Sequence, residues 1–179
     1  MAFWKDFDEI LTAEMASTAG GLLAGTLLAF ITNKIELIPA LLIFLPGFLE
    51  MRGNISGSLS ARLSSALFLG ATKPKIRKNR ILRGNVAAAL FLVLLVSVIL
   101  GMAAFFMNMV FFGIFDYRII YIAFIAGMLS NVIEVPLAVF TTFWLFRHGH
   151  DPNNVMGPYV TTTGDISSII AIFIAIVII

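Results

Sequence analysis

Five apolar stretches, each long enough to cross a bilayer, account for most of this chain. They run from about residues 10–32, 35–70, 85–109, 119–146 and 155–179; a spanning helix needs about 20 mainly apolar residues. Only 12% of the side chains are charged, against about 25% in a soluble domain. A surface so poor in charge must face lipid over most of its area. No stretch alternates apolar with polar residues as the strands of a membrane barrel do. The expected fold is all-α and integral to the membrane, with five transmembrane helices forming one domain over 1–179.

The few charges set an orientation. "ATKPKIRKNRILRG" holds six of the twelve Lys and Arg, from Lys73 to Arg83, and no acid. The positive-inside rule makes this loop cytoplasmic, a solvated juxtamembrane segment rather than a nucleic-acid surface. Five spans then put the N-terminus in the cytoplasm and the C-terminus outside, in a multi-pass protein of the cell membrane. The start "MAFWKDFDEI" lacks the basic region and small-residue cleavage site of a signal peptide. Phe3, Phe7 and Ile10 share a helical face, which suits a short interfacial helix or a frayed tail.

Four acids interrupt apolar sequence: Glu14, Glu50, Glu134 and Asp165. An Asp at the centre of a span costs about 2.5–3.5 kcal/mol, so a partner, water or an ion must offset it. Asp165 is the strongest case. Gly157, Thr161 and Asp165 recur every four residues and share a face. Ser168 continues that face, and Thr162, Gly164 and Ser167 widen it. A narrow polar stripe with one carboxylate suits a water-lined path.

A second candidate is "PGFLEMRGNISGSLSARLSS", Pro46 to Ser65. Its Pro and Gly residues are expected to break the second helix and free its carbonyls. Bare backbone at membrane depth is tolerated only beside protein or a water-filled cavity. Carbonyls around Gly53 and Gly57, with Asn54 and Glu50, form an all-oxygen environment suited to Mg²⁺ or Ca²⁺. Asn131 and Glu134, three apart in "SNVIEVP", either line the same path or pair Glu134 with an Arg. Glu14 is expected at the interface. Gly21 and Gly25 form a small-xxx-small pair suited to close helix packing.

Other chemistries find little support. The chain has no cysteine, so disulfides, thiolate metal sites and redox motifs are excluded. His148 and His150 flank Gly149 in a loop that reads as solvated. Nucleotide-binding glycine loops and nucleophile elbows are absent, so no organic cofactor and no enzymatic activity are expected.

Two of these stretches resemble a known family. "DPNNVMGPYVTTTGDIS", Asp151 to Ser167, is similar to the last-helix motif of MgtE-type magnesium transporters and their eukaryotic solute-carrier relatives. "FLPGFLEMRGNISGSLSARL" resembles their second-helix motif. The resemblance implies a homodimer of five-helix subunits with an ion path along the two-fold axis. It places the pore carboxylate on Asp165 and the second-helix pore lining on Gly53, Asn54 and Gly57. It names Mg²⁺ as the transported ion. Glu50 and Arg52 depart from the bacterial motif and put extra charge by the path. No cytosolic sensing domain is expected, and with one unit where the tandem relatives carry two, two copies are expected to associate.

The expected function is divalent cation transport along a hydrated-ion path. Mg²⁺ sheds water reluctantly, so two Asp165 carboxylates meeting at a dimer axis would balance its charge without stripping its shell. Two alternatives stand beside this. One is a non-transporting scaffold or regulatory subunit. The other is a membrane-embedded metal enzyme using Asp165, Glu134 and His148.

Overall fold

The computed structural model describes residues 2–36, 38–77 and 79–179. Met1, Leu37 of the second apolar stretch and Lys78 of the basic loop lie outside the described residues. Among the described residues the chain is five α-helices: α1 Ala2–Ile35, α2 Pro39–Phe68, α3 Arg80–Phe112, α4 Arg118–Arg147 and α5 Pro152–Ile178. Four of them, α1, α3, α4 and α5, are long and apolar enough to cross a membrane. α2 falls short because Glu50, Arg52, Asn54 and a run of serines interrupt its apolar sequence.

Local chemistry sets the helix ends. Pro39 opens α2 and Pro152 opens α5, where a missing N–H costs nothing. Asn79 caps α3, its side chain accepting from the Leu82 N–H at 3.0 Å. Asp151 caps α5 through the Asn153 N–H at 2.8 Å. α3 stops at Gly113, whose φ of 67° is the left-handed conformation that favours glycine at a helix end. Asp116 and Arg118 pair at 2.6 Å in the turn that follows, and the guanidinium holds the Asp116 carboxyl below the usual carboxylate range.

The expected break in the second helix is absent. α2 is one helix through Pro46, Gly47, Gly53 and Gly57. Proline removes one hydrogen bond and crowds one carbonyl, here that of Leu42. Thirteen buried residues on the same helix, from Ala40 to Leu67, hold it on course. The N-terminal segment is likewise no separate interfacial helix but the first turns of α1.

α5 packs against α1, α2 and α4, and α2 also packs against α3 and α4. α1 lies at the periphery and barely touches α2. Its close contact with α5 is at Gly20, where a Cβ would stand 2.1 Å from Thr162 Cγ2. The expected pair, Gly21 and Gly25, instead points away from the other helices of the chain, with nothing within 4 Å. Gly101 and Gly127 seat α3 against α4.

The core comes in two apolar clusters. One holds Leu41, Phe44 and Phe48 of α2, Ile119 and Ile122 of α4 and Ile172 of α5. The other holds Leu59 and Leu63 of α2, Val135 and Phe143 of α4 and Met156 and Val160 of α5. On each of these helices a group of buried polar residues falls between the two clusters. Arg52 of α2, Ser130, Asn131 and Glu134 of α4, and Ser167 and Ser168 of α5 are all buried there. The fold thus has a polar belt across its middle.

Candidate functional site

At the level of this belt, a groove runs between α2 and α5 on the face opposite the buried charges. α2 contributes Pro46, Leu49, Glu50, Gly53, Asn54, Gly57 and Ser58; α5 contributes Gly157, Val160, Thr161 and Asp165. The cavity has a volume of about 510 Å³. The helical repeat explains the lining. Glu50, Gly53, Asn54, Gly57 and Ser58 are spaced i, i+3, i+4, i+7 and i+8, one face of α2. Gly157, Thr161 and Asp165 are the matching face of α5.

Asp165 is the middle residue of α5, which spans Pro152–Ile178. Its half-buried carboxylate has no hydrogen bond or ion pair among the described residues. Thr161 satisfies its own hydroxyl on the Gly157 carbonyl at 3.0 Å. Glu50 accepts from the Asn54 amide at 3.0 Å. The groove therefore offers one engaged carboxylate and one free one.

The glycines have a readable role. A Cβ on Gly53 would sit 3.6 Å from Thr161 Oγ1, and one on Gly57 3.8 Å from Val160 Cγ2. Both are ordinary contacts, so α5 does not require glycine there. What glycine does is leave the groove floor as backbone and keep it wide. Pro46 adds to this, because the Leu42 carbonyl loses its donor four residues on.

Arg52 lies 200° around the helix from Glu50 and points into the core, so it adds no charge to the groove. It is fully buried. Its Nη1 donates to Asn131 Oδ1 at 3.0 Å and its Nη2 to the Ser130 carbonyl at 3.1 Å. Glu134 is also fully buried and accepts from Thr163 at 3.0 Å and Ser167 at 3.3 Å. Both donors are on α5, two residues either side of Asp165.

Four residues expected on the path thus lie elsewhere. Asn131 and Glu134 belong to this buried network. Thr162 faces α1, its hydroxyl 2.7 Å from that of Ser17. Ser168 is fully buried, because one turn beyond Asp165 α5 enters the apolar cluster around Ala171 and Ile172. Glu14 is exposed on α1. Leu49, Ser58 and Val160 also line the groove, as does Pro46, which the sequence marks only as a helix breaker; the i, i+4 spacing of Pro46, Glu50, Asn54 and Ser58 is the signal in the sequence.

The residues of a metal enzyme do not converge. Asp165 is in the groove, Glu134 is in the core, and His148 lies 14 residues further along α4's direction, about 21 Å by helix rise. His148 Nδ1 is 2.8 Å from the Trp144 carbonyl and His150 Nδ1 is 2.9 Å from Glu9 Oε1, so the two histidines have separate partners. No group of three or more His, Cys, Asp or Glu side chains is placed to hold a metal among the described residues.

The family model of MgtE, described as a divalent cation transporter, matches residues 45–175. The chain belongs to the MgtE family. That family consists of transporters rather than enzymes. The matched region runs from Leu45 of α2 to Ala175 of α5 and contains every residue that lines the groove.

Among curated proteins the MgtE-family chain is similar to solute carrier family 41 member 2. It is 26% identical over 168 residues to the Homo sapiens and Macaca fascicularis proteins and 24% identical to that of Gallus gallus. Each alignment covers 88% of this chain and 29% of the relative. The chain therefore spans under a third of the length of these relatives. No solved structure matches it.

Proposed function

We propose that this chain moves a divalent cation, Mg²⁺ foremost, across the cell membrane along the α2–α5 groove. The observation that carries the reading is the free Asp165 carboxylate in a groove whose opposite wall is Glu50, Asn54 and the backbone of Gly53 and Gly57. The proposed metal-contacting groups are Asp165, Glu50, Asn54 and the carbonyls near Gly53 and Gly57, with Gly157 and Thr161 lining the path. Thr162 and Glu134 act at one remove, by tying α5 to α1 and α4, Asn131 ties α4 to α2 and α3, and Ser168 packs in the core.

Two carboxylates per chain cannot encage a dehydrated ion. They suit a hydrated one, held through its water shell, which is what the dehydration cost of Mg²⁺ favours. The groove is open along one side of the chain. A second copy facing it across a two-fold axis would close the path and bring two Asp165 carboxylates to one ion. α2 is then the fifth span, shielded by α3, α4, α5 and the partner, which accounts for its poverty in apolar residues. A cytoplasmic position for the basic loop supports an N-terminus in the cytoplasm and a C-terminus outside. Inward movement of a divalent ion gains about 4.6 kcal/mol per 100 mV, twice the single-charge value, so no ATP is required.

The test is Mg²⁺ flux into proteoliposomes containing the purified chain. Asp165→Asn keeps the shape of the side chain and removes its charge. Flux at the protein-free background with unchanged size-exclusion behaviour is the expected result. Unaltered flux in that variant would sink the assignment of the path. Absence of flux from the unsubstituted chain would favour a non-transporting subunit instead.

A further inference from the structure

From Gly53 to Phe115 the chain has no acidic residue. The loop between α2 and α3 concentrates its positive charge around a cavity of about 490 Å³, lined by Lys73, Lys75, Arg77 and Arg80 among others. The loop is built rather than loose. Asn79, almost fully buried, donates to the Lys73 carbonyl at 3.3 Å and the Lys75 carbonyl at 3.1 Å while its oxygen caps α3. Arg147, at the end of α4, donates to the Pro74 carbonyl. None of the four cations makes an ion pair among the described residues.

An apolar groove of about 470 Å³ opens beside this cavity, between α3 and α4. Leu82, Val86, Pro136, Val139 and Phe140 line it, and Ile76 and Arg83 stand at its rim. Ile76 sits between two cavity cations in the sequence, and Arg83 lies one turn beyond Arg80, so the cavity and the groove share the same loop and helix start. Val86 lies about 9 Å further along α3 than Arg80 by helix rise. An uncompensated cationic pocket at the start of α3, next to an apolar trench lined by neighbouring residues of the same loop and helix, is complementary to one kind of molecule: an anion with an attached hydrocarbon chain.

We infer that this corner of the chain is a binding site for an anionic phospholipid. The phosphate lies among Lys73, Lys75, Arg77 and Arg80, and one acyl chain runs along Val86, Val139 and Phe140. Basic residues at a membrane surface attract anionic headgroups; the groove is what turns that attraction into a site with a chain-length preference. Arg83 spans the boundary, its stem on the groove and its guanidinium at headgroup level.

The experiment is native mass spectrometry of the purified, detergent-released chain after incubation with lipids of defined composition. Dioleoyl phosphatidylglycerol is expected to be retained at least about ten-fold more than dioleoyl phosphatidylcholine. Lys75→Gln with Arg80→Gln should bring retention down to the phosphatidylcholine level. Phe140→Ala, at an exposed position, should weaken retention while leaving elution on size exclusion unchanged. Dihexanoyl phosphatidylglycerol and inorganic phosphate should fail to displace the long-chain lipid. Equal retention of the two dioleoyl lipids would overturn the inference. So would displacement by inorganic phosphate or the short-chain lipid, which would mark a soluble-phosphate site. The headgroup and chain-length comparisons use the unsubstituted chain, so they decide the matter even if the double variant does not fold.

Discussion

Asn54 donates from its amide to the carboxylate of Glu50 at 3.0 Å, one turn earlier on the groove face of α2. Asp165, across the groove, has no such donor among the described residues. The two acids of the proposed path are therefore unequal. One is partly satisfied by protein, and the other is left for whatever occupies the groove.

This inequality makes the first prediction. A divalent ion about 5 Å from a carboxylate in water-filled space gains about 1.7 kcal/mol. Glu50→Gln forfeits that gain and keeps the polar contact with Asn54. Flux at subsaturating Mg²⁺ should fall roughly ten- to twenty-fold, because about 1.4 kcal/mol is a tenfold change. Asp165→Asn should fall to background. The comparison is made in the same proteoliposome assay. Equal losses in the two variants would contradict the division of roles.

A second prediction concerns the buried network behind the groove. Glu134→Ala would leave the Thr163 and Ser167 hydroxyls without this acceptor and the buried Arg52 guanidinium, which bonds Asn131 and Ser130, without its nearby opposite charge. Removing one member of such a buried set costs about 3–5 kcal/mol. Replacing Arg52 and Glu134 together by Met and Leu removes both charges at once. The double variant should unfold at a higher temperature in detergent than either single variant, as non-additive neighbours do. Strictly additive shifts in unfolding temperature would show that the two charges do not stabilise one another.

Two charges of α2, Glu50 and Arg52, show how much of the site is legible in the sequence. Glu50 and Arg52 are two residues apart, hence on opposite faces of any helix, and the spacing of Glu50, Gly53, Asn54 and Gly57 marks which face carries the polar path. The helices themselves were legible because Asn79, Gly113 and Pro152 punctuate long apolar runs. The Pro and Gly residues suggest a break at Pro46, but α2 runs through it for an energetic reason. One lost hydrogen bond is small beside the burial of Phe44, Phe48 and their neighbours on the same helix. Glu134 was harder. Its position on α4 was plain, but its acceptor role toward Thr163 and Ser167 depends on the register of α4 against α5. That register is set by side-chain packing across the core, about thirty residues apart in sequence, and no local pattern encodes it. Ser168 failed similarly: its angle on α5 matches the stripe, but the groove closes one turn earlier.

Close helix packing gives a third prediction. A Cβ on Gly101 would stand 2.7 Å from that of Ala123 and 3.2 Å from the Ile120 Cα, both on α4. Backbone cannot move aside as a side-chain tip can, so Gly101→Ala should cost about 1–3 kcal/mol and lower the unfolding temperature in detergent. Gly21→Ala, with nothing within 4 Å of its Cβ, is the matched control and should leave the temperature unchanged or slightly raised, given the better helix propensity of alanine. The reverse ranking would mean that α3 and α4 do not meet at Gly101.

The fourth prediction tests whether the groove faces a second copy of itself. The chain contains no cysteine, so one introduced thiol reports on one position. Ser58 is exposed on the groove face of α2. If two grooves face each other across a two-fold axis that runs along the path, residues lining the path, Ser58 among them, come near their own counterparts at the same depth, whereas residues far from the axis do not. Ser58→Cys in membranes should then give a covalent dimer with a short bis-thiol reagent, seen as a doubled mass on a denaturing gel. Phe111→Cys, at an exposed position near the end of α3, should stay monomeric under the same treatment. Equal cross-linking at both positions would point to random collision in the bilayer. Cross-linking at residue 111 alone would move the dimer contact to α3, leaving the Asp165 groove facing lipid, and a free carboxylate at mid-helix in lipid is the arrangement membrane energetics most disfavours.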